Sequence, residues 1–225
     1  LILTAIDNNI VEATTLIGSQ AGRTLDTISR EVLAAGTNVQ YAEGQVTSRA
    51  ALTPEMKLTV KAVKKAVRFL KKQNAKKING YYYGIVHPDC SYDLTEDARW
   101  IDAVKYKNPE RIYNGEIGEI EGARFVETTE AKIWAKAGAA KSTSDTTKID
   151  VYGTLIFGAN AYATTKIEGG GLKTIIKQLG SAGTGDPLDQ RATVGWKALK
   201  VTEILTEAYM IRIETASTFS DGEAN

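Results

Sequence analysis

Nine basic residues and no acidic one lie between Lys57 and Lys77, and the apolar residues among them recur at helical spacing. Met56, Val60, Val63, Val67 and Leu70 stand four, three, four and three residues apart, which is one stripe of an amphipathic helix. A strand, whose side chains alternate at every residue, cannot turn such a set toward one core. Thr53 can cap this helix and Pro54 suits its first turn, so the spacing predicts a helix from Pro54 to about Ala75. At 1.5 Å per residue it is roughly 33 Å long. Lys57, Lys61, Lys64, Arg68 and Lys71 then cluster away from the stripe, giving a long, stiff and locally positive element.

That positive face is local. The 225 residues carry 28 Lys and Arg against 27 Asp and Glu, and a net charge of +1 gives no general attraction to nucleic acid or to acidic membranes. With 43% hydrophobic residues the chain can bury a core without staples. Cys90, the single cysteine, excludes an intrachain disulfide framework and a thiolate-rich zinc site, and is compatible with a reducing compartment. No apolar run approaches the ~20 residues of a membrane span, and Leu1-Ile2-Leu3-Thr4 has no basic segment ahead of it. The expectation is a soluble protein, and the initial Leu1 reads as the middle of a longer gene product.

Ahead of the basic helix, Ile17, Ala21, Leu25, Ile28 and Val32 continue from Ile10 on one helical face, with Gly36 as a left-handed terminator. Thr37 to Leu52 reads as extended or loop structure. After Asn79-Gly80, Tyr81 to Val86 reads as a strand stopped by Pro88, and a short helix is expected from Thr95-Glu96-Asp97 to Asn108-Pro109. Glu116 to Thr128 suggests two short strands with a tight turn, Ala137 to Thr147 a loop, and Val151 to Phe157 a buried strand or the edge of one. Leu172 to Leu179 is open between helix and strand, and Ser181 to Pro187 is a loop. Val194 to Val201 and Leu205 to Thr215 read as long strands, the second with Tyr209, Ile211 and Ile213 opposite Met210, Arg212 and Glu214. Without a regular strand-helix alternation, the class is α+β.

The chemistry-bearing residues do not assemble into a catalytic or metal motif. His87 is the one histidine, so His87-Pro88-Asp89-Cys90 has no second ligand cluster and reads as a strand-ending turn. Glu168-Gly169-Gly170-Gly171-Leu172-Lys173-Thr174 departs from a phosphate-binding loop because Leu172 separates glycine from lysine. The carboxylate pairs Asp93 with Asp97 and Glu119 with Glu121 read as solvated surface. No catalytic residue, cofactor site or metal site is assigned. The basic face, Lys57, Lys61, Lys64, Arg68 and Lys71, is the one binding candidate, open to DNA or to a neighbouring subunit.

Several segments taken together resemble one family. They run from the Lys-rich helix through Asn79-Gly80-Tyr81-Tyr82-Tyr83-Gly84-Ile85-Val86-His87-Pro88-Asp89 to Trp100, then from Gly115 to Thr128 and from Tyr152 to Gly158. The most specific is Asp186-Pro187-Leu188-Asp189-Gln190-Arg191-Ala192-Thr193-Val194-Gly195-Trp196-Lys197. In order and spacing they are similar to the major capsid proteins of tailed phages of the N-four-like type, with the Hong Kong 97 coat fold. The resemblance implies a non-enzymatic protein that assembles with itself into pentamers and hexamers of an icosahedral head. That head encloses double-stranded DNA without sequence specificity, and it is built in the bacterial host cytoplasm. Portal, scaffold and decoration proteins are further partners this implies, and a membrane is not. The resemblance also implies a division of the chain: an N-terminal helix and extended segment over 1–52, following a missing arm, and the spine helix of a peripheral domain over 53–79. A mostly axial domain covers 80–163, and peripheral return strands cover 164–225. An encapsulin-like compartment, or a DNA-binding module using the basic helix, are the alternatives.

Overall fold

The computed structural model describes residues 9–101, 118–142, 144–165, 168, 170–181, 185–188 and 191–220. Among the described residues the elements with full bounds include α1 (Asn9–Ala34), α2 (Val60–Lys72) and α3 (Pro88–Thr95), which stand among β-strands. The strands are β1 (Val39–Tyr41), β2 (Tyr82–Val86), β3 (Glu119–Ile120), β4 (Ala123–Glu127), β5 (Ile133–Trp134), β6 (Val151–Phe157), β7 (Tyr162–Thr164), β8 (Lys173–Lys177), β9 (Thr193–Lys197), β10 (Thr202–Ile204) and β11 (Met210–Thr215). The class is α+β, as expected.

The chain forms two compact units. One comprises 1–29 and 164–202, the other 30–163 and 203–225. The expected division joined 53–79 with 164–225 and set 80–163 apart; in the larger unit α2 packs on the sheet that 82–157 builds.

The larger unit is built on a mixed sheet in the order β1-β11-β6-β2-β4-β3, with β5 also pairing β6. β6 and β11 are buried at every position, which is why Val151 to Phe157 is almost uninterruptedly apolar. One face of the sheet, carrying Tyr82, Val86, Tyr152, Ile156, Ile211 and Ile213, packs under α2 and α3. The opposite face holds Leu155, Phe157 and Met210 against Leu33. Burying Val63, Val67 or Leu70 contributes roughly 1.5–3 kcal/mol each.

Local chemistry sets the element ends. α2 begins at Val60, not Pro54, because Lys57 pairs with Ala216 in a β-bridge and Thr59, in extended backbone, accepts the Ala62 N–H at 3.2 Å. It spans 13 residues, or about 20 Å. It ends where Asn74 turns left-handed at φ 57°, with the Asn74 N–H on Lys71 O and the Ala75 N–H on Leu70 O. Pro88 does not merely stop a strand; it opens α3, whose N-cap is His87. Thr95 and Glu96 close α3 and do not open the expected helix; residues 98–101 are helical after Asp97, whose carboxylate accepts the Arg99 N–H at 2.9 Å, and the expected end at Asn108-Pro109 lies outside the described residues. Glu121 and Gly122, both with positive φ, form the two-residue turn between β3 and β4. The segment left open between helix and strand, Leu172 to Leu179, contains strand β8, Lys173–Lys177.

Gly36 is not the left-handed terminator of α1. Its φ lies outside that region, and Arg212 instead donates to the carbonyls of Ala34 and, at 2.9 Å, of Gly36. Glycine is needed there because a Cβ would stand 2.8 Å from the Met210 methyl.

Candidate functional site

The basic face is real, although its membership differs from the sequence reading. Lys61, Lys64, Lys65, Arg68, Lys71 and Lys72 are all exposed on α2, at the i, i+3, i+4 and i+7 spacing of one helix face. Lys57 stands before the helix and points elsewhere, with its ammonium on the Thr218 hydroxyl at 2.8 Å and 3.9 Å from Asp93. Lys65 and Lys72 complete the face in its place. Both lie in the basic run, and the helical wheel would have included them.

Two of these six charges are paired with carboxylates, and a third is held by a backbone carbonyl. Lys61 pairs with Glu43 at 2.5 Å and Lys64 with Glu121 at 3.0 Å, while Lys65 donates to the Glu43 carbonyl. The Lys61 ammonium, aided by the Thr59 hydroxyl, holds the Glu43 carboxyl below its ordinary range. Arg68, Lys71 and Lys72 have no acidic partner among the described residues. The free charge is therefore concentrated in the second half of the helix, where positive groups also suit the carbonyl end of the dipole.

The other candidates serve structure. His87 accepts the Asp89 N–H through Nδ1 at 3.2 Å and stacks obliquely on Tyr152, 5.2 Å between ring centroids. Cys90 is fully buried, and burial pushes its thiol far above the ordinary range, where no thiolate is available for chemistry. Asp93 accepts from Ser217 Oγ at 2.8 Å and from the Thr218 N–H at 3.0 Å, fixing the segment after β11. Asp97 accepts the Val60 N–H at 2.9 Å, satisfying a first-turn donor of α2. No group of three or more potential ligands occurs among the described residues. Gly170 and Gly171 lead into strand β8 and not into a helix, so no phosphate loop forms.

Sequence reading missed an ionic cluster on the far side of the sheet. Glu214, with no exposed surface, receives both Arg49 Nε and a second Arg49 nitrogen at 2.7 Å and Arg212 Nε at 2.8 Å. The Arg49 guanidinium lies 3.8 Å over the Trp134 ring. Arg49 is some 165 residues from Glu214, so only the folded sheet brings them together. The one signal in the sequence was a charged pair, Arg212 and Glu214, on a strand otherwise suited to burial.

The smaller unit has a different character. Ala21 is its one fully buried apolar residue among those described, whereas Leu16, Ile28, Leu172, Ile175, Ile176 and Leu199 are exposed. Its hairpin, β8 against β9, runs in the register Lys173–Lys197, Ile175–Gly195 and Lys177–Thr193. Trp196, on the other face, donates to Gln20 of α1 at 2.9 Å.

A profile of the phage capsid protein family matches residues 9–179. The chain belongs to this family. The fold of this capsid-family chain is likewise that of solved phage capsids. It is similar to the capsid of cyanophage P-SCSP1u (15% identity, TM-score 0.66, covering 96% of this chain and 68% of that one). The cyanophage Pam1 capsid gives 10% identity and a TM-score of 0.67, over 96% of this chain and 71% of that one. The capsid of Ralstonia phage GP4 gives 15% and 0.57, over 83% and 54%. This capsid-family chain thus spans between about half and seven-tenths of the length of these relatives. No curated protein matches it. The expected membership and the α+β coat fold are borne out, and the family is one of structural proteins.

Proposed function

We propose that the protein is a major capsid subunit that assembles with itself, as pentamers and hexamers, into the icosahedral head around double-stranded DNA. Family membership sets the class, and the observation that carries the reading is the smaller unit. A hairpin and helix with almost no buried apolar residue cannot offset the entropy of ordering themselves, so their exposed apolar side chains need cover from outside the chain. In a shell, neighbouring subunits supply that cover. The protein acts by association, not catalysis, in the virion after assembly in the host cytoplasm. Portal, scaffold or decoration proteins would join the same shell.

Within this reading α1, at 26 residues and about 39 Å, suits the spine of the peripheral domain better than α2, with 164–202 beside it. The larger unit then supplies the axial domain. The free end of the basic face, Arg68, Lys71 and Lys72, is a phosphate contact for packaged DNA, without sequence preference because phosphates carry no sequence information.

Negative-stain electron microscopy with size-exclusion chromatography of the full-length protein, alone and with its neighbouring genes, tests the proposal. Closed shells, or rings of five or six subunits, are the expected result. A strictly monomeric protein under all these conditions would overturn it.

A further inference from the structure

Residues 217–220, which follow β11, lie across α3 and the start of β6, and every bond that holds them there has a side chain on at least one end. β11 ends at Thr215, the Ala216 N–H goes to Met56 O at 3.0 Å, and no backbone-to-backbone hydrogen bond involves 217–220 among the described residues. Instead, Ser217 Oγ donates to Asp93 at 2.8 Å, the Thr218 N–H donates to the same oxygen at 3.0 Å, and the Thr218 hydroxyl donates to the other. Ser220 Oγ donates to Asp150 at 2.8 Å, and the Tyr152 hydroxyl reaches the Phe219 carbonyl at 3.2 Å. Phe219 leans edge-on against Tyr92 of α3, 5.3 Å between ring centroids, and both rings are exposed. None of the residues 217–220 enters an apolar core cluster, yet Asp93 and Asp150 are both buried beneath them.

We propose that residues 217–220 form a clasp that opens without unfolding the rest of the larger unit, and that its opening uncovers Cys90 in α3. The anchors flank the thiol. Ser217 Oγ lies 3.2 Å from the Asp89 carbonyl and 2.8 Å from the Asp93 carboxylate, and Cys90 Sγ stands 3.8 Å from the Thr215 hydroxyl at the root of the clasp. Opening costs far less than global unfolding, because water takes over the bonds of the freed hydroxyls and carboxylates and the segment itself buries no large apolar side chain. The Ala216–Met56 bond marks the hinge, since β11 is paired with β6 as far as Thr215. In the closed state burial pushes the Cys90 thiol far above its ordinary range, and exposure to solvent makes a reactive thiolate available again. Every group in the clasp belongs to one chain, so the inference stands apart from the coat-subunit reading.

The thiol reports on the clasp. In the full-length protein, labelling of Cys90 by a thiol reagent, read by mass spectrometry on the peptide that carries it, is compared with global unfolding in urea. The wild type is expected to label in water about tenfold or more faster than its global unfolding equilibrium allows, with a weaker urea dependence. Thr218→Val with Ser220→Ala removes two hydroxyls that hold only the closed state, and is expected to speed labelling about tenfold or more. Glu214→Gln, on the opposite face of β11, is expected to lower the urea midpoint and leave the labelling rate in water unchanged, because that site is the same whether the clasp is open or closed. Labelling that follows global stability across all three proteins would overturn the proposal, and so would an unchanged rate in the protein that carries Thr218→Val and Ser220→Ala.

Discussion

Two buried side chains make opposite demands on the larger unit. The Thr154 hydroxyl lies in the centre of β6 with no hydrogen-bond partner, although the side chain has no exposed surface. Replacing it with valine keeps the shape and removes a desolvated donor, so Thr154→Val is expected to raise the unfolding free energy by about 1 kcal/mol in chemical denaturation. A loss of stability would mean that the hydroxyl is bonded. Glu214 is the reverse case, since removing its charge leaves Arg49 and Arg212 without their shared anion. Glu214→Gln is expected to cost about 3 kcal/mol or more, measured the same way, and a neutral effect would show that the cluster is not electrostatically held. The sequence marked Glu214 only as half of a charged pair with Arg212 on a strand suited to burial, and it did not mark Thr154 at all. Thr154 suits a strand at any position, and the partner that makes Glu214 important comes from a distant turn. The end of strand β2 before His87, by contrast, was legible, because Pro88 follows it.

The elements whose ends depend on neighbouring side chains were the ones misread. The apolar stripe of α2 placed Val60, Val63, Val67 and Leu70 in the core, as the structure does, because periodicity reports burial directly. The helix start was placed six residues early, because the Lys57–Ala216 bridge and the Asp97 cap come from distant parts of the chain. The end of α2 rests on a local device, and Asn74→Ala is expected to destabilise by about 1 kcal/mol, because a Cβ without a local polar group is costly in the left-handed region. Asn74→Gly should be neutral or stabilising. Equal losses for both variants in thermal melts would mean that the Asn74 side chain, not its backbone, is what matters. The β3–β4 turn was readable because Gly122 announces it, whereas α1 was readable as a helix but not in its burial. Ile28, on the expected buried stripe, is exposed, which a single chain does not explain and a covering neighbour does.

The molecule as a whole combines a well-packed unit with one that has little core, and that contrast is the physical sign of a protein completed by assembly. The fold class and the family were legible in the sequence, and the chain leaves the larger unit at Ala163 and returns at Glu203. Reversing the free end of the basic face, with Arg68→Glu and Lys71→Glu, is expected to leave shell assembly intact and to lower the DNA content per particle and its salt sensitivity. Failure to assemble would make this face a subunit contact instead. Hydrogen exchange, compared between free subunits and closed shells, examines the contrast between the units. Amides in β8 and β9 are expected to exchange rapidly in the free subunit and to become strongly protected in the shell, while those of β6 and β11 are protected in both. Equal exchange of β8 and β9 in the two states would contradict the account, since the smaller unit would then gain no cover from its neighbours.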